Sequence, residues 1–326
     1  MRGVGRLGAP AQRCPAGTWE RALGVPHPRL RPGVIGYRGF RLNLGRPRSR
    51  LEAPVGAVTL LLGFEHAVRL HRAGRPSVTR MSSVSGLHTG PVLGEHDGRL
   101  AGIEVLIAPW YAFTLFGVAQ HELADQVADP REALPPRLGK RQGRAGWGTV
   151  EDLAGALAAL PGWAARFALL DEVLIRWAEA GTPCSARTAH AWAELVRTSG
   201  ALPVHRLADE VGWSTRQLET RFREQIGLSP KAAARVLRLQ RARRMLSAGC
   251  SQAETAASCG FYDQSHLSGE FRAMTGCTPG EFATARGAGS APGGGPPGPD
   301  RLAGEATSLV LPPGRGARFS KTGRLA

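Results

Sequence analysis

Apolar positions recur with two different periods along the chain. Between residues 36 and 109, short apolar stretches broken by glycines predict strands, among them residues 56–64 and 100–108. Helical periodicity follows in residues 110–118, 121–127, 150–160 and 162–179. The pattern predicts an α+β N-terminal domain, strand-rich and then helical, for which a cupin-like barrel is one arrangement.

A second type of pattern begins after Thr182-Pro183. Nearly every later segment has helical periodicity with Gly or Pro at its ends, which predicts an all-α C-terminal domain. Both ends of the chain are rich in Gly, Pro or Arg and poor in apolar residues, which predicts disorder. We therefore divide the chain into a disordered basic arm (1–30), an N-terminal domain (31–181), a helical domain (182–286) and a disordered Gly/Pro-rich tail (287–326).

The helical domain contains an internal repeat with a period of about 49 residues. In each copy an alanine precedes a glycine by four positions, which is typical of two helices that cross closely around a sharp turn. Each copy therefore predicts a helix-turn-helix. The shared positions are Ala208, Gly212, Leu218, Phe222 and Gly227 in the first copy, and Ala256, Gly260, Leu267, Phe271 and Gly276 in the second.

The second helix of each copy has an apolar face and a polar face. Ser214 and Gln217 have the spacing of a capping box at the start of the first of these helices, and Asp263 is the expected cap in the second copy. If the repeated Leu and Phe residues turn inward, a set of polar side chains turns outward. That set is Arg216, Glu219, Thr220 and Arg223 in the first copy, and Ser265, Ser268, Gly269 and Arg272 in the second, flanked by Gln264 and His266.

A long helix is predicted between the two copies. Ser229-Pro230 is a helix start signal, and residues 231–246 have an apolar stripe that contains Val236, Leu239, Ala242 and Leu246. The same segment contains basic side chains and no acid, so part of it is expected to lie against phosphates. These basic residues are Lys231, Arg235, Arg238, Arg241, Arg243 and Arg244.

The net charge of +16 is unevenly distributed. Residues 1–50 contain 11 Arg and one Glu, whereas residues 182–286 have a net charge of only about +5, so charge supports nucleic-acid binding moderately. The five cysteines form no CxxC pair, which favours a reducing, cytoplasmic location. No apolar run approaches the roughly 20 residues of a transmembrane helix, so no membrane contact is expected.

Residues 186–286 resemble the DNA-binding module of the AraC/XylS family, through GLSPK at 227–231 and GFYDQSHL at 260–267. The resemblance implies that two recognition helices enter successive major grooves about 34 Å apart. It also implies base contacts by Arg216, Glu219 and Thr220 and by Gln264, Ser265, His266 and Ser268. The full set predicted to bind DNA is Ser214, Thr215, Arg216, Glu219, Thr220, Arg223, Arg238, Gln264, Ser265, His266, Ser268 and Arg272. Gly269 departs from the family, which usually has a basic residue there.

The N-terminal domain resembles, more loosely, that of a subset of AraC-type regulators. The similar segments are LIAPWYAFTLFG at 106–117, HELADQV at 121–127 and RFALLDEVL at 166–174. The resemblance implies a regulatory or sensor domain in a transcription regulator that binds promoter or operator DNA. A small-molecule effector, contact with RNA polymerase and a homodimer are the further partners expected.

Two other functions differ from that of a sensing regulator. A DNA-binding adaptor would recruit a protein through its N-terminal domain and sense no ligand. An enzyme fused to the module, such as one with a reactive, zinc-held cysteine, would need several N-terminal cysteines, and only Cys14 precedes Cys184. Residues 33–181 contain no evident constellation for other catalysis, so an enzyme is disfavoured.

No cofactor or metal is expected in the N-terminal domain. Its possible metal ligands match no metal-binding spacing, and they are His66, His71, His88, Glu95 and His96. Trp110, Tyr111 and Phe113 are expected in the core more often than in an effector pocket.

Overall fold

The computed structural model describes residues 12–14, 17–134, 149–288, 301–302, 305–306 and 308–310. The strands are β1 (Gln12–Cys14), β2 (Gly17–Gly24), β3 (Val34–Leu44), β4 (Arg48–Glu52), β5 (Val58–Glu65), β6 (Val68–His71), β7 (Val78–Arg80), β8 (Ser83–Ser85), β9 (Val92–His96), β10 (Arg99–Ile107), β11 (Val127–Ala128), β12 (Arg301–Leu302), β13 (Glu305–Ala306) and β14 (Ser308–Val310). The helices are α1 (Pro109–Phe116), α2 (Gln120–Leu123), α3 (Pro130–Ala133), α4 (Val150–Ala159), α5 (Trp163–Ala180), α6 (Ala186–Arg197), α7 (Val204–Glu210), α8 (Thr215–Ile226), α9 (Pro230–Ser247), α10 (Gln252–Cys259), α11 (Gln264–Thr275) and α12 (Pro279–Ala288).

Two antiparallel sheets form the strand-rich part of the chain. One has the order β1-β2-β3-β10-β5-β8-β11 and the other the order β14-β4-β9-β6-β7. Alternation along β5 separates its two faces, because successive strand side chains point to opposite sides. Val58, Leu60 and Leu62 are buried in a core with side chains from α1, α4 and α5. Thr59 and Leu61 line a cavity that both sheets enclose. The predicted order of strands followed by helices is confirmed.

Parts of both ends for which disorder is predicted form strands in the structure. β2 pairs with β3 along its whole length, Ala22 is buried, and Trp163 Nε1 donates a hydrogen bond to Glu20 Oε1 at 2.6 Å. In the tail, β14 pairs with β4 at the edge of the second sheet. A scarcity of apolar side chains predicts disorder, whereas β2 and β14 are held by backbone hydrogen bonds to other strands, which composition does not reveal. Residues 25–30 are also ordered, and Leu30 is buried. The parts of the two predicted segments outside the described ranges are residues 1–11, 15–16, 289–300, 303–304, 307 and 311–326.

The C-terminal half is helical, as predicted, and packs around a second core. That core contains Leu207, Leu218 and Phe222 from the first copy of the repeat and Leu267 and Phe271 from the second. The turns within the two copies contain Gly212 at φ +65° and Gly260 at φ +72°, a backbone conformation that favours glycine. Duplicated glycines therefore mark duplicated turns.

The two cores meet through side chains from the N-terminal part. Leu87 is fully buried within the helical core, and Trp110 and Ala124 pack against it. The N-terminal part is thus in direct contact with the helices that follow Thr182-Pro183.

Candidate nucleic-acid interface

The first candidate reading helix is α8. Ser214 Oγ accepts a hydrogen bond from Gln217 N at 3.3 Å, and Gln217 Oε1 accepts one from Ser214 N at 3.0 Å, so the predicted capping box is present. Leu218 and Phe222 are completely buried. The helix therefore starts at a fixed residue and has a fixed rotation. The side chains that remain exposed are Ser214, Thr215, Arg216, Gln217, Glu219, Thr220, Arg221 and Arg223.

Thr220 is restricted in the contact it can make. Its Oγ1 donates a hydrogen bond to the carbonyl oxygen of Arg216 at 3.0 Å. A hydroxyl has one hydrogen, and Thr220 Oγ1 has already donated it. The oxygen can therefore only accept a hydrogen bond from another molecule. Thr220 can thus accept from a base amino group, whereas Arg216 offers only donors.

The second candidate reading helix is α11. Asp263 Oδ1 accepts from His266 N at 2.7 Å, which is the predicted cap. Gln264, Ser265, His266 and Arg272 are exposed, and Ser268 is half-buried. Both predicted reading helices therefore present their predicted polar faces to solvent.

Gln252 on α10 supports two of these side chains. Its Oε1 accepts from Gln264 Nε2 at 3.3 Å and from Ser268 Oγ at 3.4 Å. Because this contact uses Gln264 Nε2, the side-chain oxygen of Gln264 is left available to accept a hydrogen bond. Gln252 thus holds two predicted base-reading residues in a defined orientation, a role that the sequence analysis did not identify.

His266 is partly committed to the turn. Its Nδ1 accepts from Tyr262 N at 3.1 Å, and its ring packs edge-on against Phe261 at a centroid distance of 5.5 Å. In the neutral ring the proton is then on Nε2. His266 can therefore present one donor at this end of α11.

The basic connector α9 is only partly exposed, so only some of its six cations can lie against phosphates. Arg243 is 1% exposed, and Arg235 forms a two-point ion pair with Glu270 of α11 at 2.8 and 3.0 Å. Arg243 lies seven positions after Val236 and four after Leu239, so it falls on the inward stripe. Helical spacing alone could have placed Arg243 inside.

Arg238 has an intermediate position. It is half-buried, and its guanidinium lies over the ring of Phe261 at 5.9 Å from the centroid. Lys231 and Arg244 are exposed. The surface of α9 that can meet phosphates is therefore narrower than the sequence implied.

Tyr262 is a candidate DNA-contacting residue that the sequence analysis missed. It is 93% exposed, directly before the cap of α11. Its signal was in the repeat: Leu218 follows Gly212 by six positions, whereas Leu267 follows Gly260 by seven. The second turn thus contains one extra residue, and the longer turn places an aromatic ring in solvent.

The five possible metal ligands of the N-terminal domain do not converge. His71 Nε2 lies 2.7 Å from Glu95 Oε2, whereas His88 and His96 line the cavity. Among the described residues, the only group with metal-like geometry is His190, Glu194 and Glu210 on α6 and α7, and Glu194 is already bound by Arg197.

The N-terminal aromatic trio also does not line the cavity. Tyr111 packs against the sheet–helix core, and Trp110 against the helical core. Within the described ranges, every helix is too short or too polar to cross a membrane.

The reading helix α8 and the connector α9 both touch the N-terminal domain. Gln225 near the end of α8 is buried, and its Oε1 accepts from Ser185 N at 3.1 Å. Cys184 N donates to Thr114 Oγ1 on α1 at 3.2 Å, and Gly56 N donates to Gln240 Oε1 on α9 at 2.9 Å. Residues 184–185 therefore bridge α1 and α8, and Gly56 connects the segment between β4 and β5 to α9.

Residues 207–285 match the family model described as a helix-turn-helix domain. A transcriptional regulator with an AraC-type DNA-binding domain from Chromobacterium violaceum is 30% identical over 33% of this chain and 95% of its own, with a TM-score of 0.30. The DNA-binding domain of AdpA, a global transcriptional factor solved with a target DNA, is 29% identical over 32% of this chain and 96% of its own, with a TM-score of 0.31. ToxT from Vibrio cholerae is 9% identical over 76% of this chain and 98% of its own, with a TM-score of 0.43.

A search of curated proteins found no match. The family assignment rests on sequence, namely the helix-turn-helix model over the repeat and the 30% identity across nearly all of the Chromobacterium domain. By this similarity, the chain belongs to the AraC family of DNA-binding transcription regulators and not to a family of enzymes.

Proposed function

We propose that the protein reads a specific duplex DNA site by placing α8 and α11 in successive major grooves, and that its N-terminal domain controls this binding. The observation that carries the proposal is the duplicated arrangement of a capped helix with a buried Leu/Phe face and an exposed polar face. One helical turn of DNA separates equivalent groove positions by about 34 Å, a spacing that two units joined by one long helix can match.

The side chains on the two faces suit base recognition. Arg216 can donate two hydrogen bonds to guanine, Glu219 can accept from cytosine N4, and Gln264 can pair with adenine. Each such contact contributes roughly 1–3 kcal/mol of discrimination. Ser265, His266 and Ser268 complete the second reader, and Thr220 serves as an acceptor in the first.

Other residues suit contact with the DNA backbone. Ser214 and Thr215 lie at the start of α8, and Arg223 and Arg272 are exposed on the two reading helices. We add Tyr262, whose ring can pack on a deoxyribose while its hydroxyl donates to a phosphate. Arg238 is positioned to contribute to phosphate binding while it packs on Phe261.

Control is assigned to residues 31–181, and DNA binding to residues 182–286. The support is the direct contact of the N-terminal domain with α8, through α1 and α2, and with α9, through Gly56, because a change in that domain can then reach both the first reader and the connector. A small molecule is the proposed signal. Contact with RNA polymerase and pairing into a homodimer stay predictions from the sequence.

The test compares the DNA affinities of Arg216→Ala and Arg272→Ala. Each variant is measured on the duplex site that the protein prefers and on versions of that site changed at single base pairs. Arg216→Ala should cost about 1–3 kcal/mol on the preferred site and lose discrimination at one base pair. Arg272→Ala should weaken binding evenly and lower the slope of log affinity against log salt by about one. Equal losses for Arg216→Ala on every sequence would overturn the base-reading role.

A further inference from the structure

The side chain of Gln252 connects the two helices of the second repeat copy. Its Oε1 accepts from both Gln264 Nε2, at 3.3 Å, and Ser268 Oγ, at 3.4 Å. Gln264 and Ser268 are four positions apart on α11, so they lie on one face of that helix, about 6 Å apart along its axis. One acceptor on α10 therefore holds two side chains of the second reader, and we call this contact the Gln252 bridge.

Helix caps fix the backbone at both ends of the Gln252 bridge. Gln252 is the first residue of α10 and directly follows Ser251, whose Oγ accepts from Glu254 N at 3.2 Å. Gln264 is the first residue of α11 and directly follows the cap Asp263. Because each side chain starts from a capped helix end, the bridge joins two points whose positions on their helices are fixed.

The equivalent position in the first repeat copy is apolar. Ala208 and Ala256 correspond to each other in the two copies, so Gln252 corresponds to Val204, which packs against the helical core. A valine side chain has no hydrogen-bonding group with which to hold a reading residue. The fold thus accepts an apolar side chain at this position, and the amide of Gln252 is dispensable for folding.

The Gln252 bridge determines which groups of Gln264 face away from α10. Gln252 Oε1 uses one of the two hydrogens on Gln264 Nε2, which leaves the other hydrogen and Oε1 of Gln264 as an adjacent donor and acceptor. Adenine presents the complementary pair in the major groove, an N7 acceptor beside an N6 amino donor. If the amide were turned over, its two groups would be in the reverse order and its contact with Gln252 would be lost. The bridge therefore fixes one of the two amide orientations.

The Gln252 bridge also uses the hydrogen of the Ser268 hydroxyl. With that hydrogen donated to Gln252, Ser268 Oγ can only accept from another molecule. In the major groove, adenine and cytosine offer an amino group, whereas the hydrogen-bonding groups of guanine and thymine are acceptors. Ser268 in the bridge can therefore form a hydrogen bond with adenine or cytosine and not with guanine or thymine.

We propose that Gln252 is a positioning residue that sets the base preference of the second reader. Gln264 then selects adenine, and Ser268 selects an amino-bearing base, adenine or cytosine. Gln252 acts through the two side chains that it holds. The inference rests on the proposed reading of DNA by α11 and specifies what that helix selects. The separation of about 6 Å between the two reading residues corresponds to about two base-pair steps of about 3.4 Å, so the two selected base pairs are expected that close together.

Affinities for the preferred duplex site, with all four base pairs in turn at each position of its second half, test the proposal. Gln264→Ala and Ser268→Ala identify the base pair that each residue reads, as the position where the variant loses its preference. Gln252→Leu removes the shared acceptor and leaves a side chain of similar size. It should lower the preference for adenine at the Gln264 base pair about tenfold.

The same variant should broaden the selection at the Ser268 base pair. Because the freed hydroxyl can donate, sites with guanine or thymine there should bind within a few-fold of those with adenine or cytosine. Damage to the fold would weaken all sites alike and would not produce this relative gain. Retention of both preferences in Gln252→Leu would overturn the inference.

Two further variants separate positioning from a structural role. Gln252→Glu keeps an acceptor in place, so both preferences should stay within about twofold, although its negative charge weakens binding to every site. Ser258→Leu, at an exposed residue on a different face of α10, is the matched control and should change neither preference. Loss of both preferences in Gln252→Glu, or the same changes in Ser258→Leu, would contradict the proposal.

A double-mutant cycle tests whether Gln252 acts through Gln264. With Gln264→Ala already present, Gln252→Leu should cause no further loss for adenine relative to the other bases at the Gln264 base pair, since the residue that it positions is gone. An equal relative loss with and without Gln264→Ala would show that Gln252 acts by another route and would overturn the positioning role.

These affinities also separate the inference from the proposed function. If the unsubstituted protein prefers particular bases and Gln252→Leu keeps all of those preferences, the role of Gln252 is wrong and the reading of DNA stands. Equal affinity of the unsubstituted protein for every sequence would instead overturn the proposed function, and this inference with it.

Discussion

Single residues decide how strongly each reader can contact DNA, and Gly269 is the weakest position of the second reader. It lies on the exposed face of α11, where a Cβ would meet nothing within 4 Å. Glycine inside a helix costs about 1 kcal/mol relative to alanine, and it offers DNA no side chain. The first reader has no comparable gap, since Thr220 and Arg223 are both present on its outer face.

Substitution of Gly269 separates these two effects. Gly269→Ala should raise the free energy of unfolding by about 1 kcal/mol, measured by urea denaturation, because it restores helix propensity. Gly269→Lys should give a similar gain, tighten DNA binding and steepen the salt dependence by about one charge. If Ala and Lys tighten DNA binding equally, the missing charge is irrelevant and the interpretation of this face is wrong.

Between elements, one ion pair joins the connector to the second reader. Arg235 of α9 and Glu270 of α11 form a two-point contact, and both side chains are only partly exposed, at 38% and 26%. Such bidentate pairs add geometric specificity to a modest energy. This contact therefore helps to set the angle of α11 relative to the connector.

Loss of this pair should affect recognition more than folding. Glu270→Gln should lower the free energy of unfolding by no more than about 1 kcal/mol, measured by denaturation, and weaken protection of the second half-site in a footprint. Arg221→Ala, which removes an exposed pair with Glu224 on α8, is the matched control and should leave the second half-site unchanged. A footprint of Glu270→Gln identical to that of the unsubstituted protein would argue against this role.

The sequence predicts those features that depend on interactions between residues a few positions apart, and it does not predict those that depend on contacts between distant segments. Spacing alone predicts the caps Ser214, Ser229 and Asp263, since each side chain bonds a backbone amide three residues away. The pairing of β2 with β3 and of β14 with β4 joins distant segments, and composition cannot reveal such pairing. The support of Gln264 by Gln252 is likewise a contact between helices that no motif announces.

At the scale of the whole molecule, the buried histidines of the cavity connect stability to pH. Burial lowers the pKa values of His88 and His96 to about 4, from an ordinary 6.5. Arg50 and Arg48 also lower the pKa of His96, whereas Asp97 raises it. As the pH falls below about 6.5, the unfolded chain takes up protons that the folded chain refuses. The contribution of His88 and His96 to the free energy of unfolding is therefore fully present above about pH 6.5 and is lost as the pH falls towards 4.

His96→Asn should flatten this dependence. Each such histidine contributes a slope of at most about 1.4 kcal/mol per pH unit, so removal of one should lower the slope by up to that amount. Urea denaturation at several pH values between about 7 and 5 measures it. Identical slopes for the variant and the unsubstituted protein would show that His96 is not a buried neutral group.

The arrangement of the two readers is tested most directly by hydroxyl-radical footprinting of the full chain on DNA fragments that it selects. Two protected segments on one face of the duplex, with centres about 10 base pairs apart, are expected from α8 and α11 in successive major grooves. A single protected segment, protection on opposite faces, or even protection of unrelated sequences would contradict the account.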